Sequence, residues 1–486
     1  MLRLLPVPAA ALLSMMVAVT NGGNPLVPNV GMADPHLRAV VQDDNETLFY
    51  LYATHDFANN NTGFRMKDWW AWTAPDMVHW RKAVHIAPNT SFLAWDPNVV
   101  ECWATDAIVT DDGVWFWYLS VGPTAVGVVT SQNVRGPWKD PLGAPLLSPA
   151  LGKTLTPVAT FRDPGVFRDD GGDGAYYIVA GVFDYYIARL GDDMISLAER
   201  PRHITIDPNG HAAWGPYGNK TDDKPYLHER GGTYYLSWGC FYATSDSVYG
   251  PFSFQGHVIA TPRIAPDFRM PHDPSQPWYA QQDLADRHGS FMVSDGQWFY
   301  ASNDRSHSSD KAHPDVFRDT VVGYVHYRAN GTIAPVVINA VGVGTYDAAL
   351  GRIEAEDYFR REGAGVEKVD TTPEGSRDDA FAVRVPENGV LVYPLVRNAT
   401  PRLQFRLHFT HRRPAAPPPV AASVRVTVGG VHVGECGLGS PNASGVVVCM
   451  PLALPTWNTD KEAAGMDVSF RFSGATVELD WFAFIQ

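Results

Sequence analysis

Basic residues are in short supply: 38 Lys and Arg stand against 52 Asp and Glu in 486 residues, a formal net charge of −14. A nucleic-acid binder needs a basic footprint and an anionic membrane surface attracts one, so the balance argues against both and favours a neutral ligand. Cysteine is scarce as well, and four residues are too few for a disulfide scaffold. Cys436 and Cys449 flank a Gly/Ser/Asn-rich turn and are placed to bridge two neighbouring strands in an oxidising compartment. Cys102 and Cys240 are far apart in the chain, with a pair of buried thiols as the alternative to a second bridge. Helical periodicity is nearly absent, and beyond the N-terminus no apolar run is long enough to cross a bilayer.

What is present begins with Arg3 and a mostly apolar run from Leu4 to Val19, closing on Thr20-Asn21-Gly22-Gly23. This is the pattern of a cleaved secretory signal, residues 1–22; Pro6 and Pro8 interrupt it and it is short for a membrane span. Seven Asn-X-Ser/Thr sequons, at Asn45, Asn60, Asn89, Asn219, Asn330, Asn398 and Asn442, suit a secreted, extracellular glycoprotein. The length predicts two or more domains, and 45% hydrophobic content supports real cores. Fifteen Trp, 20 Tyr and 23 Phe suit both β-structure and stacking against sugars.

From residue 30 to about 345 one phrase recurs five times, a polar turn bearing an acid or histidine followed by an aromatic strand pair. Ala33-Asp34-Pro35-His36 precedes Leu48–Tyr52, and Trp103-Ala104-Thr105-Asp106 precedes Trp115–Tyr118. Arg162-Asp163-Pro164-Gly165 precedes Tyr176–Ile178, Asp223-Lys224-Pro225-Tyr226 precedes Thr233–Leu236, and Arg287-His288-Gly289-Ser290 precedes Gln297–Tyr300. A period of about 60 residues belongs to repeat architectures such as propeller blades, which predicts an all-β, five-bladed propeller over 30–347. Gly136-Pro137-Trp138 and Gly250-Pro251-Phe252 read as the outer-strand ends of two blades. In a propeller the five opening turns gather at one mouth of the channel.

This ordered set resembles glycoside hydrolase family 43, over roughly residues 30–345. The resemblance implies a five-bladed propeller that hydrolyses arabinose-, xylose- or galactose-containing polysaccharides with inversion, using no catalytic cofactor. It implies Asp34 as general base and Asp163 as the acid that orients the proton donor and raises its pKa. The donor position falls on Asp223, where the family normally has a glutamate, so the carboxyl is set back by one methylene; Asp222 and Glu229 are local alternatives that read as solvated surface acids. By the same resemblance His288 matches a histidine near the channel axis that contacts a bound ion or water. Trp103, Trp70, Phe183 and Arg318 are candidates for holding the sugar, as are Trp69, Trp72 and Arg65, because aromatic faces suit the C–H faces of sugar rings.

From Ile353-Glu354-Ala355-Glu356 to Val477–Phe484 the texture changes to a second all-β segment, 352–486, that resembles a family 6 carbohydrate-binding module, a β-sandwich. The resemblance implies a structural calcium held by Glu354, Glu356 and Asp480, hard oxygen ligands that suit Ca²⁺. It also implies a sugar-stacking Trp457, with Tyr393 a second candidate. The Pro-rich stretch 413–419 and the end of the chain at Gln486, where such modules carry a polar binding residue, depart from the pattern. The expected protein is a secreted inverting glycosidase, exo-acting, whose partner is a polysaccharide or oligosaccharide. The alternatives are a catalytically silent carbohydrate-binding propeller, and a hydrolase of an anhydro-sugar linkage using His288 or His307 as donor.

Overall fold

The computed structural model describes residues 23–42, 44–56, 64, 66–89, 92–259, 287–304, 318–373, 379–407, 422–439, 446–449, 451–453 and 465–485. The signal segment 1–22, Asn60, Arg65, His307, the loop 267–286, the stretch 413–419, Asn442, Trp457 and Gln486 lie outside the described residues. Among the described residues no helix is long and apolar enough to cross a membrane.

The structure is almost entirely β. Five sheets follow one another along the first two thirds of the chain. The first is an antiparallel meander of Met32–Val41, Thr47–His55, Trp69–Ala74 and Arg81–Ile86. The second contains Cys102–Val109, Trp115–Val121 and Val126–Ser131, and single bridges from Val126 to Leu147 and Thr130 to Lys139 extend its edge. Gly165–Arg168 opens the third sheet, Tyr226–Arg230 the fourth and Gly289–Ser294 the fifth. The opening strands of the five sheets touch in chain order, and the last touches the first, so they form a closed ring.

Aromatic residues lock neighbouring sheets together. All seven residues of Trp115–Val121 are buried, as expected of a strand covered on both faces. Trp117 meets Tyr52 of the first sheet edge-on at 5.1 Å and Trp138 at 5.2 Å. The Gly-Pro-aromatic turns differ from their expected place: Gly250-Pro251 leads into the outer strand Phe252–His257 rather than closing it, because Gly250, at φ +80°, makes the reversal. Two of the five acid-bearing phrases are also not turns, since Asp34 lies inside Met32–Val41 and Asp106 inside Cys102–Val109.

The C-terminal third forms two six-stranded sheets. Tyr346–Asp347 runs parallel to Val390–Arg397 in one of them, and Arg352–Glu354 pairs with Val477–Ile485 in the other. One apolar core runs through this region and continues into the first and fifth sheets, where Phe359 meets Phe49 at 5.8 Å and Phe299 at 6.1 Å. Polar contacts reinforce the junction: Gln297 Nε2 donates to the Glu356 and Tyr358 carbonyls, and Arg328 pairs with Asp379 at 2.6 Å. Cys436 and Cys449 form a disulfide, but one of them lies in Val431–Gly437 and the other follows Val446–Val448, so it joins the two sheets rather than neighbouring strands of one. Cys102 and Cys240 are buried and carry no disulfide.

Trp117→Ala should cost about 3–5 kcal/mol, the usual loss for truncating a buried tryptophan, because its ring fills the seam between the first two sheets. A lowered urea midpoint with an unchanged denaturant slope would show it.

Candidate active site

Three matching positions in the ring share an unusual backbone. Asp34, Asp163 and Lys224 each precede a proline and each sits at positive φ, +52°, +55° and +50° respectively. Side chains avoid this region, and residues held in it cluster at functional sites. In Met32–Val41 the distortion coincides with a break in strand register between Ala33 and His36, which turns Asp34 out of the ladder. In the fourth sheet the equivalent place belongs to Lys224, so Asp223 and Asp222 stand one and two positions earlier than the other acids. His288 immediately precedes Gly289–Ser294. A Cβ on Gly289 would lie 2.1 Å from the Ala301 carbonyl oxygen and 2.9 Å from the Tyr300 ring, so only glycine lets this strand approach its neighbour.

These segments meet at a cavity of about 240 Å³ lined by Asp34, Asp163, Asp222, Asp223, His288, Arg318, Arg162, Trp103, Phe64 and Tyr217. Asp34 is buried. Its Oδ1 accepts from His288 Nδ1 at 3.0 Å, Asn303 Nδ2 at 2.8 Å and Arg318 Nη1 at 3.0 Å. Arg318 also grips Asp56 through Nε and Nη2, both at 3.0 Å. On the far side of the imidazole, His288 Nε2 contacts Asp223, with Asp222 at 3.7 Å. Arg162 Nη2 reaches Asp223 at 3.2 Å, and its guanidinium lies over the Trp103 ring at 4.9 Å. Asp163 is fixed by Ser120, whose Oγ donates to Oδ1 at 3.1 Å and accepts from the Asp163 amide at 2.6 Å.

The carboxyls divide into two electrostatic classes. Burial would raise Asp34, but Arg318, then His288 and Lys224, outweigh it and hold Asp34 far below the usual carboxylate range. Asp223 behaves alike: burial opposes ionisation, yet His288 and Arg162 bring it down to about 2. Asp163 goes the other way, pushed up to about 7 by burial and by the charge of Asp223. Burial also raises Asp222, with Asp223 adding to it. The His288 ring loses solvation, but Asp223, Asp222 and Asp34 together hold it protonated well above the ordinary histidine range. Behind them Lys224 is fully buried, and burial brings its ammonium down to about 8 against the pull of Asp34, Asp106 and Asp163.

The cavity therefore brings together Asp34, Asp163, Asp223, His288, Trp103 and Arg318. It corrects the reading of Asp222, which is 5% exposed and lines the cavity instead of facing solvent. Glu229 points away, accepting from the Gly232 amide in a turn. Phe183 stands beside the cavity with its ring edge-on to Tyr217 at 5.9 Å. Trp70 is not among the lining residues; it is sandwiched by His55 at 4.4 Å and the Lys82 ammonium at 3.5 Å. Trp69 and Trp72 are core, with indole nitrogens donating to the Trp103 carbonyl and to Met32 Sδ. Tyr393 is fully buried, its hydroxyl donating to the Ala355 carbonyl, so it presents no stacking face. Arg162, Phe64 and Tyr217 are lining residues that sequence reasoning did not assign to the site. Only the first, inside the Arg-Asp-Pro-Gly phrase, carried a signal.

Among the described residues, the group of His, Cys, Asp or Glu whose ligand atoms lie within 4.8 Å of one another is Asp222, Asp223 and His288. With the ring protonated, both histidine nitrogens are donors and the group is held by its own charges. The acids Glu354, Glu356 and Asp480 instead line a separate cavity of about 550 Å³ where the fifth sheet meets the C-terminal region. Glu354 pairs with Arg352 at 2.6 Å and Asp480 with Arg406 at 3.2 Å, while Glu356 Oε2 is buried without a hydrogen-bond partner.

Residues 23–333 match the family model for glycosyl hydrolases family 43. The chain belongs to this family. Family 43 relatives include a β-D-galactofuranosidase, xynD, of Aspergillus niger, 28% identical over 356 residues that cover 69% of this chain and 91% of the relative. A xylosidase/arabinosidase of Bacteroides ovatus is 28% identical over 285 residues, 49% of this chain and 81% of the relative. The crystal structure of a family 43 arabinoxylan arabinofuranohydrolase from Bacillus subtilis, in complex with cellotetraose, superposes with a TM-score of 0.50 at 19% identity, covering 95% of this chain and 97% of the other. At that identity the likeness concerns the fold. As a family 43 member the protein is a glycosidase, and no catalytic cofactor enters its chemistry.

Arg318→Leu should bring the acid limb of the kcat/KM profile up into the measurable range, because Asp34 loses its strongest stabilising charge and holds its proton to higher pH. The pH-rate profile of the variant against the parent checks this.

Proposed function

We propose that this family 43 glycosidase is a secreted, inverting, exo-acting enzyme for arabinose-, xylose- or galactose-containing saccharides. In this reading the five sheets of residues 30–347 are the blades of a five-bladed propeller, and residues 352–486 are a β-sandwich carbohydrate-binding module. The substrate class is supported by the names of the relatives. Exo action is supported by the cavity, which is smaller than the ~300–1,000 Å³ of pockets for drug-sized ligands and suits one terminal sugar.

The observation that carries the mechanism is His288 standing between Asp34 and Asp223. A whole imidazole stands between those carboxyls, which keeps them out of direct contact and supports the wide spacing, ~6.5–9.5 Å, that leaves inverting enzymes room for a water. Asp34, ionised across the working pH range, takes a proton from water as the water oxygen bonds to the anomeric carbon. The bond to the leaving oxygen breaks, and that oxygen takes a proton from the Asp222–Asp223 pair. Within the pair we assign the donor to Asp222, since burial raises its pKa while His288 and Arg162 hold that of Asp223 low. Asp163, protonated up to about pH 7, limits the negative charge beside the donor. Both nitrogens of His288 are committed to carboxylates, which speaks against it as the donor in an anhydro-sugar mechanism.

For the C-terminal module we propose that Glu354, Glu356 and Asp480 hold Ca²⁺ by drawing together around it, since as placed their carboxylate oxygens do not all lie within 4.8 Å of one another. Burial pushes Glu354 up to about 7, with Asp357 and Asp480 adding to it, and Glu356 Oε2 lacks a partner; a divalent cation answers both. Its contribution would be structural, neutralising the acids at the junction. Added Ca²⁺ should raise Tm and EGTA reverse the gain, with no response in Glu356→Gln.

Asp34→Asn should lower kcat/KM by ~10²–10⁴-fold on aryl arabinofuranoside, xyloside or galactofuranoside. The parent rate should fall as pH rises through about 7, where Asp163 ionises. In Asp223→Asn the charge that raises Asp163 is gone, so this alkaline limb should move to lower pH. Absence of turnover by the parent on all three substrates, with binding retained, would sink the enzymatic mechanism.

A further inference from the structure

Among the described residues, the large aromatic side chains left exposed are Phe64, Phe183 and Tyr217, at 39%, 47% and 54%, and all three gather at the mouth of one cavity. An apolar cluster kept in water next to a polar cavity marks a binding surface. Phe183 is the most telling. It forms the tip of the hairpin joining Tyr176–Val182 to Asp184–Arg189 and sits at φ +60°, where a bulky side chain is disfavoured and glycine or asparagine would serve. Its ring buries little in the core, so folding gains nothing evident from it.

The hairpin tip is tied to the acidic segment by two hydrogen bonds, one between backbones and one from a threonine side chain. The Phe183 amide donates to the Asp222 carbonyl at 3.1 Å, and its own carbonyl accepts from Thr221 Oγ1 at 2.6 Å. The aromatic platform is therefore registered to the side of the cavity that protonates the leaving oxygen, across from Asp34. Phe183 does not itself line the cavity that suits one sugar, but its ring packs edge-on against Tyr217, which does. The Lys220 ammonium lies over the Phe183 ring, 5.7 Å from its centre.

We propose that Phe183 and Tyr217 form a subsite for the leaving-group sugar, a pyranose ring of an oligosaccharide that stacks its C–H face on this platform while the terminal sugar occupies the cavity. The inference rests on the glycosidase reading and narrows its substrate class: the subsite favours oligosaccharides with a ring directly after the scissile bond over small aglycones, which the cavity alone still takes.

The test compares the parent protein with Phe183→Gly on xylotriose, an arabinofuranosyl-substituted xylotriose and a galactofuranosyl disaccharide, each beside the methyl glycoside of the same terminal sugar. Glycine is the informative replacement because it accepts the φ of this turn, so the fold is kept and Tm should hold. Loss of an apolar face of this size should raise KM for the active oligosaccharide about tenfold. Inhibition by the free monosaccharide product, which reads the cavity alone, should stay within about twofold of the parent, and Phe183→Tyr should restore most of the KM. An unchanged oligosaccharide KM, or an equal weakening of monosaccharide inhibition, overturns the subsite. No turnover by the parent protein on any probe overturns the glycosidase reading beneath it, a result distinct from the first two.

Discussion

Four carboxyl groups share a cavity of about 240 Å³, and keeping them there is the constraint on which the surrounding structure depends. Like charges this close cannot all ionise out of water, so each must be neutralised by a proton or a partner. The protein uses both solutions and sorts the acids by them. Asp34 and Asp223 are assigned Arg318, Arg162 and the two nitrogens of His288. Asp163 and Asp222 are assigned burial and the charge of their neighbours. In the proposed mechanism that division supplies a base and an acid poised at the same pH, as hydrolysis of a glycosidic bond requires.

The closed ring of strands makes the division possible. The charged groups come from four of the five sheets: Asp34 from the first, Arg162 and Asp163 from the third, Asp222 and Asp223 from the fourth, and His288 and Arg318 from the fifth. Positive φ at Asp34, Asp163 and Lys224 turns those residues out of their ladders, and the apolar seams between sheets, such as Tyr52 against Trp117, supply the rigidity that holds such backbones in place. Lys224 is the odd member. It occupies the place that Asp34 and Asp163 hold in their own sheets and presents a buried ammonium where they present carboxyls, which adds one more positive charge behind the base.

Several parts of the site were legible through the family resemblance that the Asp-Pro, Trp-Ala-x-Asp and His-Gly-Ser phrases carry. Asp34, Asp163, Asp223, His288 and Trp103 all reach the cavity, and so does Arg318, which belongs to no phrase. The readings that failed share a cause. From sequence Asp222 reads as a surface acid, Tyr393 as a stacking face and Trp70 as a wall of the cavity, since exposure and direction depend on what packs against a strand. Phe64 and Tyr217 carry no phrase at all; they stand in loops, and only the approach of other sheets makes them the rim of a cavity.

The sequence by itself determined the β character, the fivefold recurrence and which residue types stand at the start of each unit, because alternation, turn chemistry and aromatic runs act over a few residues. It did not determine that the pKa values of Asp222 and Asp223 shift in opposite directions. Asp222 and Asp223 are the same residue type one bond apart, and nothing local separates them. The difference arises from His288 and Arg162, some 60 residues away on either side in the chain, whose charges reach one carboxyl more closely than the other. A pKa is set by distances across the fold, and those exist only once the ring has closed.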